Sequence, residues 1–309
     1  MTRVAAVDCG TNTIKLLVAD LDAATGEEHE LVREMRMVRL GQDVDRTGRL
    51  ADEALARVFA AIDEYAEIIA AHDVEALRFC ATSAARDAEN AAEFAAGVES
   101  RLGVVPEVVT GAEEAQLSYD GATRGLVDRG LPGPVLVVDI GGGSTELILG
   151  DGHGHVRTSQ SLDIGSVRMT ERHLRSDPPT RAEIAEAVGD VASSLDRTVV
   201  PLAEARTVVG VAGTITTVAA GVLCLPEYDR AAIDQAVLAL EDVHATTASL
   251  LAMTVAERRA QGYMHPGRAD VIGAGALILD EVLRRTTART LLVSEADILD
   301  GIAWSLTTR

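Results

Sequence analysis

Residues 134–151 read PVLVVDI-GGGST-ELILGD. An apolar run ends around Asp139, a turn of three glycines and two hydroxyl residues follows, and a second apolar run begins at Glu146. Near the N-terminus, residues 3–20 read RVAAVD-CGTNT-IKLLVAD and repeat that order: strand, aspartate, glycine/hydroxyl turn, strand. Short apolar runs bounded by turn residues read as buried strands. The pair is an internal duplication of one supersecondary unit, weak as sequence identity but specific as an arrangement.

Outward from the first copy, residues 29–40 complete a meander, and Leu55, Val58, Phe59, Ile62, Tyr65 and Ile69 share one face of a helix between Asp52 and Ala71. EALRFCAT, DAENAAEFAAGVESRL and VPEVVT then read strand, helix, strand, and a further helix starts near Ala112. This is the β-β-β-α-β-α-β-α pattern of a mixed α/β domain. A break, RGLPGP (129–134), precedes the second copy. Beyond it the pattern predicts a helix over 180–200, a strand and glycine turn over 205–222, helices near 229–239, 241–252 and 268–286, a strand over 289–297 and a closing helix. The expected domains are 1–124, joined by the closing helix 297–309, and 125–296.

The 309 residues carry 48 Asp and Glu against 28 Lys and Arg, a formal charge of −20, with 47% apolar residues. That balance is globular, not disordered. There is no basic run, and Lys15 is the only lysine, which argues against nucleic acid as a partner. Cys9, Cys80 and Cys224 match no zinc spacing and no disulfide framework. A cytoplasmic setting is expected, with no signal peptide evident and no apolar run of the ~20 residues that a membrane span needs.

Three turns can carry chemistry. In Asp8-Cys9-Gly10-Thr11-Asn12-Thr13, Gly10 permits an otherwise strained backbone, successive N–H groups can cradle an anion, and Asp8 can hold a divalent cation through water. The same residues also make an ordinary hairpin turn. In Asp139-Ile140-Gly141-Gly142-Gly143-Ser144-Thr145-Glu146, three glycines exceed what a hairpin tip needs and suit close approach to a ligand. A third turn, Gly210-Val211-Ala212-Gly213-Thr214-Ile215, can offer N–H groups at a helix N-terminus. The two duplicated turns can face each other across a cleft and grip one phosphorylated ligand.

Together these motifs resemble the exopolyphosphatase and guanosine pentaphosphate phosphatase family of the actin, Hsp70 and sugar-kinase superfamily. ATSAARDAEN (81–90), TGAEEAQLSYDGA (110–122), GSVRMTER (165–172), HPGRADVIGAGALIL (265–279) and VSEADILDGI (293–302) extend the resemblance nearly end to end. It implies an α/β fold of two RNase H-like (actin-like ATPase) domains with an interdomain active-site cleft. It further implies Mg²⁺- or Mn²⁺-dependent hydrolysis of the terminal phosphoanhydride of inorganic polyphosphate or of pppGpp. By motif match, Glu114 is the catalytic glutamate, Glu146 a second important glutamate, Asp139 (with Asp8 and Glu146) metal-associated, and Arg86 a groove arginine. Gly10, Thr11, Asn12, Thr13, Gly141, Gly142, Gly143, Ser144, Thr145, Gly213 and Thr214 are the expected phosphate-binding turn residues, with Arg168 and Arg268 as further groove candidates. A homodimer is expected from the short-form relatives. Thr216 stands where the resemblance implies a lysine in long members, so one basic contact is missing, and the resemblance implies for a chain without the C-terminal extension of those members a preference for short polyphosphate.

Residue chemistry agrees. Phosphoryl transfer to water needs an oriented water, a base and neutralised phosphate oxygens. Glu114, near the start of a helix, can serve as the base, whereas Glu113 points elsewhere and serves the helix dipole. His153, His155 and His265 read as surface or turn residues, since a hard cation prefers oxygen. A superfamily kinase and a non-enzymatic nucleotide switch are the competing readings. The −20 charge is compatible with a polyanionic substrate if Arg86, Arg168 and Arg268 supply a local positive focus.

Overall fold

The computed structural model describes residues 1–307. The chain divides into two compact units, Met1–Gly121 with the closing helix Ile298–Ser305, and Ala122–Asp297. The division falls inside the helix Gly111–Arg124.

The first unit holds β1 (Thr2–Cys9), β2 (Thr13–Leu21), β3 (Glu28–Met37), β4 (Ala76–Ala81) and β5 (Glu107–Val108), in the order β3-β2-β1-β4-β5. β1, β2 and β3 form an antiparallel meander, and β4 and β5 continue it in parallel with β1. The middle of the central strand, Val4–Val7, is apolar because it is covered on both faces. Its side chains alternate: Ala5, Val7 and Cys9 join a core with the helices Asp52–Ala70 and Ala91–Leu102, while Val4 and Ala6 join one with Leu117 and the closing helix. Period two therefore puts Asp8 on the second face, the one against which the helix Gly111–Arg124 packs. The closing helix comes so near that helix that a Cβ on Gly301 would lie 2.0 Å from the Leu117 carbonyl oxygen. Arg33 on β3 pairs with Asp300, and Trp304 Nε1 donates to Glu28 at 3.0 Å, tying the end of the chain to the meander.

The second unit repeats the plan. β6 (Val135–Ile140), β7 (Thr145–Gly150), β8 (Val156–Leu162), β9 (Thr207–Val211), β10 (Val237–Ala239) and β11 (Thr290–Val293) lie in the order β10-β11-β9-β6-β7-β8. The meander β6-β7-β8 answers β1-β2-β3, and β9 and β11 answer β4 and β5. Both sheets thus carry the RNase H-like order of the actin-like fold, the second with one added antiparallel edge strand, β10. Leu136, Val138, Ile140, Leu147 and Leu149 face the helices Arg181–Leu195, Ala212–Val222, Leu240–Ala252 and Ile272–Leu283. Asp139 and Glu146 alternate onto the opposite face.

Several expected elements differ. The helix expected near 229–239 is one turn, Arg230–Ile233, capped by Asp229 and followed by β10. The helix ends at Ile233, with Asp234 already extended (ψ 128°) and Gln235 at φ 61°, and pairing of Val237 with Leu292 supplies strand geometry that local pattern does not. β8 is a polar edge strand, VRTSQSL, which apolar runs do not reveal. The helix expected over 87–102 begins only at Ala91 and is preceded by a separate short helix, Ser83–Asp87, and the one expected over 180–200 stops at Leu195.

Candidate active site

In the first turn, Gly10 N donates to Thr13 O at 2.9 Å, and the Gly10 backbone lies outside the left-handed region. The strain expected at Gly10 is therefore absent; its lack of a side chain leaves the turn open instead. The turn is braced from outside: Gly41 N donates to Thr11 O at 2.8 Å, and Val38 N and Arg39 N both donate to Asn12 O. Thr11 Oγ1 lies 2.9 Å from Ser83 Oγ, and a Cβ on Gly41 would meet Thr11 Cγ2 at 2.3 Å. Among the described residues, Asn12 Oδ1 is buried with no hydrogen-bond partner. Asp8 is the cross-strand partner of Lys15, whose Nζ lies 3.4 Å from Asp8 Oδ2.

Glu114 sits in the first turn of the helix Gly111–Arg124, where its N–H donates to Thr110 O, and it is only 6% exposed. Arg86, in the last turn of Ser83–Asp87, places Nη1 3.0 Å from Glu114 Oε2 and 3.0 Å from the Val109 carbonyl. Two residues singled out for separate roles are thus an ion pair. Glu113 turns away and meets buried Arg78 at 2.7 Å, which also holds Glu107 and the Ser305 hydroxyl. Its part is structural, fastening the helix start to β4 and to the closing helix.

In the second unit, Asp139 and Glu146 are direct cross-strand partners on β6 and β7, where Asp8 and Lys15 stand in the first copy. They are 6% and 2% exposed. Directly opposed residues on antiparallel strands project to the same face, with Cβ atoms about 5 Å apart. Two carboxylates so placed form a hard-oxygen donor pair that fits Mg²⁺ or Mn²⁺. In the first copy the same position pairs a carboxylate with an ammonium, which fits a cation less well. Among the described residues, no group of three or more His, Cys, Asp or Glu could hold a metal ion.

The glycine turn is held by its neighbour segment. Ser166 N donates to Gly141 O at 2.9 Å, Val167 N and Arg168 N donate to Gly142 O, and Arg168 Nε donates to Gly143 O at 2.8 Å. Thr145 Oγ1 donates to Ile164 O, and Ser161 Oγ donates to Glu146 Oε1 at 2.7 Å. A Cβ on Gly165 would lie 2.4 Å from Gly142 O, so two backbones touch where side chains would intervene. Gly141 lies outside the left-handed region, and the close approach of Gly165 to the Gly142 carbonyl is a packing reason for a small residue at 165. Arg168 contributes a guanidinium N–H to the scaffold of the turn as well as its charge.

The third turn is a strand-to-helix junction. β9 ends at Val211, and the helix Ala212–Val222 begins with no side-chain cap. Its first-turn N–H groups are the kind that receive anions. Ala212 has φ 66°, costly for a residue with a Cβ. Arg268 lies flat on Gly213, where an added Cβ would come 2.2 Å from Nη2, and Nη1 reaches Thr217 Oγ1 at 3.4 Å. Burial lowers the Arg268 pKa below the ordinary arginine value, while Tyr228, Glu295 and Asp297 oppose the shift. Tyr228 Oη donates to Glu295 Oε1 at 2.6 Å and lies 2.8 Å from Thr216 Oγ1. Thr216 is therefore part of a tyrosine–carboxyl cluster, and burial raises the Glu295 pKa.

Arg86 belongs to the first unit, Arg168 and Arg268 to the second. His153 and His155 lie in an exposed turn on Asp151, and His265 Nδ1 accepts from Gly267 N. Sequence reasoning missed Lys15, Gly41, Ser83, Ser161 and Gly165 as supports. Gly165 lay inside the GSVR motif, and the registers of β2 and β8 supply the signal for Lys15 and Ser161. No helix among the described residues is long and apolar enough to cross a membrane.

The sequence matches the profile of the Ppx/GppA phosphatase family over residues 17–309. It is 49% identical to "Exopolyphosphatase 2" of Mycobacterium tuberculosis across 99% of both chains. The crystal structure of the Aquifex aeolicus Ppx/GppA family member superposes with a TM-score of 0.83 at 31% identity, covering 99% of this chain and 98% of that one. An exopolyphosphatase from Cytophaga hutchinsonii superposes with a TM-score of 0.88 at 26% identity, with the same coverage. With duplicated sheets, glycine turns and a match of this extent, the chain belongs to the Ppx/GppA phosphatase family.

Proposed function

We propose that this chain is an exopolyphosphatase that removes the terminal phosphate of inorganic polyphosphate by attack of water. The observation that carries the reading is Glu114, a buried carboxylate at a helix start, aimed by Arg86. It joins the name borne by the M. tuberculosis relative. The Glu114 carboxylate orients the attacking water and takes its proton, a role that requires an ionised, fixed carboxylate. Arg86 holds Glu114 and offers its remaining N–H groups to phosphate oxygens. Each of the first turn, the second turn and the uncapped helix start at Ala212 offers backbone N–H groups of the kind that receive phosphate oxygens, with Arg268 adding charge at Gly213.

Asp139 and Glu146 are the residues that would hold a Mg²⁺ or Mn²⁺ ion, which supplies charge neutralisation on the transferring phosphoryl group. Asp8, facing Lys15, is assigned to orient the turn and the lysine.

The test is phosphate release measured side by side with short polyphosphate, long polyphosphate, pppGpp and ATP. Turnover of short polyphosphate, abolished by EDTA, supports the reading. Preferential turnover of pppGpp moves the assignment to that substrate, and ATP consumed only with a hydroxyl or carboxylate acceptor makes the chain a kinase.

A further inference from the structure

Between the end of β8 and the first turn of the helix Ser166–His173, Ile164 O accepts from Thr145, Gly165 touches Gly142, and Ser166, Val167 and Arg168 donate to carbonyls of the second turn. Most of these bonds are made by backbone atoms, which any sequence can provide. Ser161 is different, because its side chain alone makes the bond to Glu146 Oε1. The register places Asp139, Glu146 and Ser161 opposite one another on β6, β7 and β8, a single row across three strands. Its neighbour Gln160 alternates to the other face and accepts from Thr198 and Val199, a purely structural use.

We propose that Ser161 is a positioning residue for Glu146, its hydroxyl fixing the plane of the carboxylate that stands beside Asp139. A glutamate has three side-chain torsions, and the last is broad and weakly determined. A donor on Oε1 at 2.7 Å removes that freedom and sets where Oε2 points. The function of Glu146 in hydrolysis and cation binding comes from the reading above, on which this inference rests. What is added is that β8, a polar edge strand, contributes one hydroxyl that orients the working carboxylate. Partners of metal-associated side chains are worth 10- to 100-fold in affinity or activity when removed.

Ser161→Ala and Ser161→Thr test it, with Glu146→Gln measured in parallel. Steady-state hydrolysis gives kcat and KM, and calorimetric titration of the resting protein with Mn²⁺ gives the Kd. The expected result for Ser161→Ala is a kcat lower by about 10- to 100-fold, KM for polyphosphate within about twofold, and a Mn²⁺ Kd raised about 10-fold or more. Ser161→Thr, which keeps the hydroxyl, restores both toward the starting values. A Ser161→Ala protein with unchanged kcat and Mn²⁺ Kd overturns the proposal. So does equal impairment of the alanine and threonine variants, which would make the position one of packing. If Glu146→Gln itself retains full activity, the assignment of Glu146 fails, and that outcome is distinct from a silent Ser161→Ala beside an inactive Glu146→Gln.

Discussion

Arg86 Nη1 lies 3.0 Å from Glu114 Oε2 and equally close to the Val109 carbonyl oxygen. One guanidinium therefore joins the last turn of Ser83–Asp87 to the residue proposed as the base and to the chain just before its helix. Glu114→Gln keeps an oxygen acceptor for Arg86 and removes the basicity. It should fold with an unchanged melting temperature and lose ~10²–10⁴ in kcat, the range for loss of a general base. Near-normal turnover in a phosphate-release assay would remove Glu114 from the mechanism.

Arg86→Lys is the complementary test. A lysine is a point charge on a flexible stem and does not reproduce a planar fork that serves a carboxylate and a carbonyl together. The variant should lower kcat and raise KM for polyphosphate, because both orientation and phosphate contact suffer. A change in KM alone, read from initial rates, would confine Arg86 to substrate binding.

Gly213 and Arg268 occupy the same space. The added methyl of Gly213→Ala would fall 2.2 Å from Arg268 Nη2, so the guanidinium must leave the helix start. KM should rise several-fold while the far-ultraviolet circular dichroism stays unchanged. An unaffected KM would show that Arg268 takes no part in holding phosphate.

Ala212, at φ 66°, carries a Cβ where glycine is at ease. Ala212→Gly relieves a left-handed penalty of roughly 1–2 kcal/mol and loses part of it to chain entropy in the unfolded state. Urea denaturation should show a gain of up to about 1 kcal/mol. A loss of stability would mean that the Ala212 methyl makes packing contacts worth more than the strain.

The helix Arg181–Leu195 begins with a capping box in which Glu183 accepts from Thr180 and Ser176. The Thr180 backbone N–H is the largest cause holding the Glu183 pKa at about 2, down from 4.5. A depressed carboxyl pKa stabilises the fold above the unfolded value and ceases to do so as pH falls through the folded one. The stability difference between the parent and Glu183→Gln should thus be full above pH 5 and shrink between about 4.5 and 2. A difference independent of pH across that window would dissociate the cap from its charge.

Much of this protein was legible in the chain itself. The duplicated strand–aspartate–turn–strand units fix period-two burial, so Asp8 and Asp139 had to lie at strand ends, and their sheets repeat one strand order. Thr110 and the TGAEE run marked a helix start and so put Glu114 in a first turn. Those features depend on residues near one another in sequence. What only the tertiary structure decided lies between distant residues. Arg86 meets Glu114, Arg78 takes Glu113, Arg268 lies on Gly213, and Gly165 presses on Gly142. The strands β8 and β10 escaped notice because one is polar and the other is made by pairing with β11. The difference between the copies, Lys15 opposite Asp8 and Glu146 opposite Asp139, is written in the sequence, yet it becomes chemistry only through register. Hydrophobic periodicity tells a residue which face it takes; cross-strand pairing and side-chain packing tell it whom it meets there.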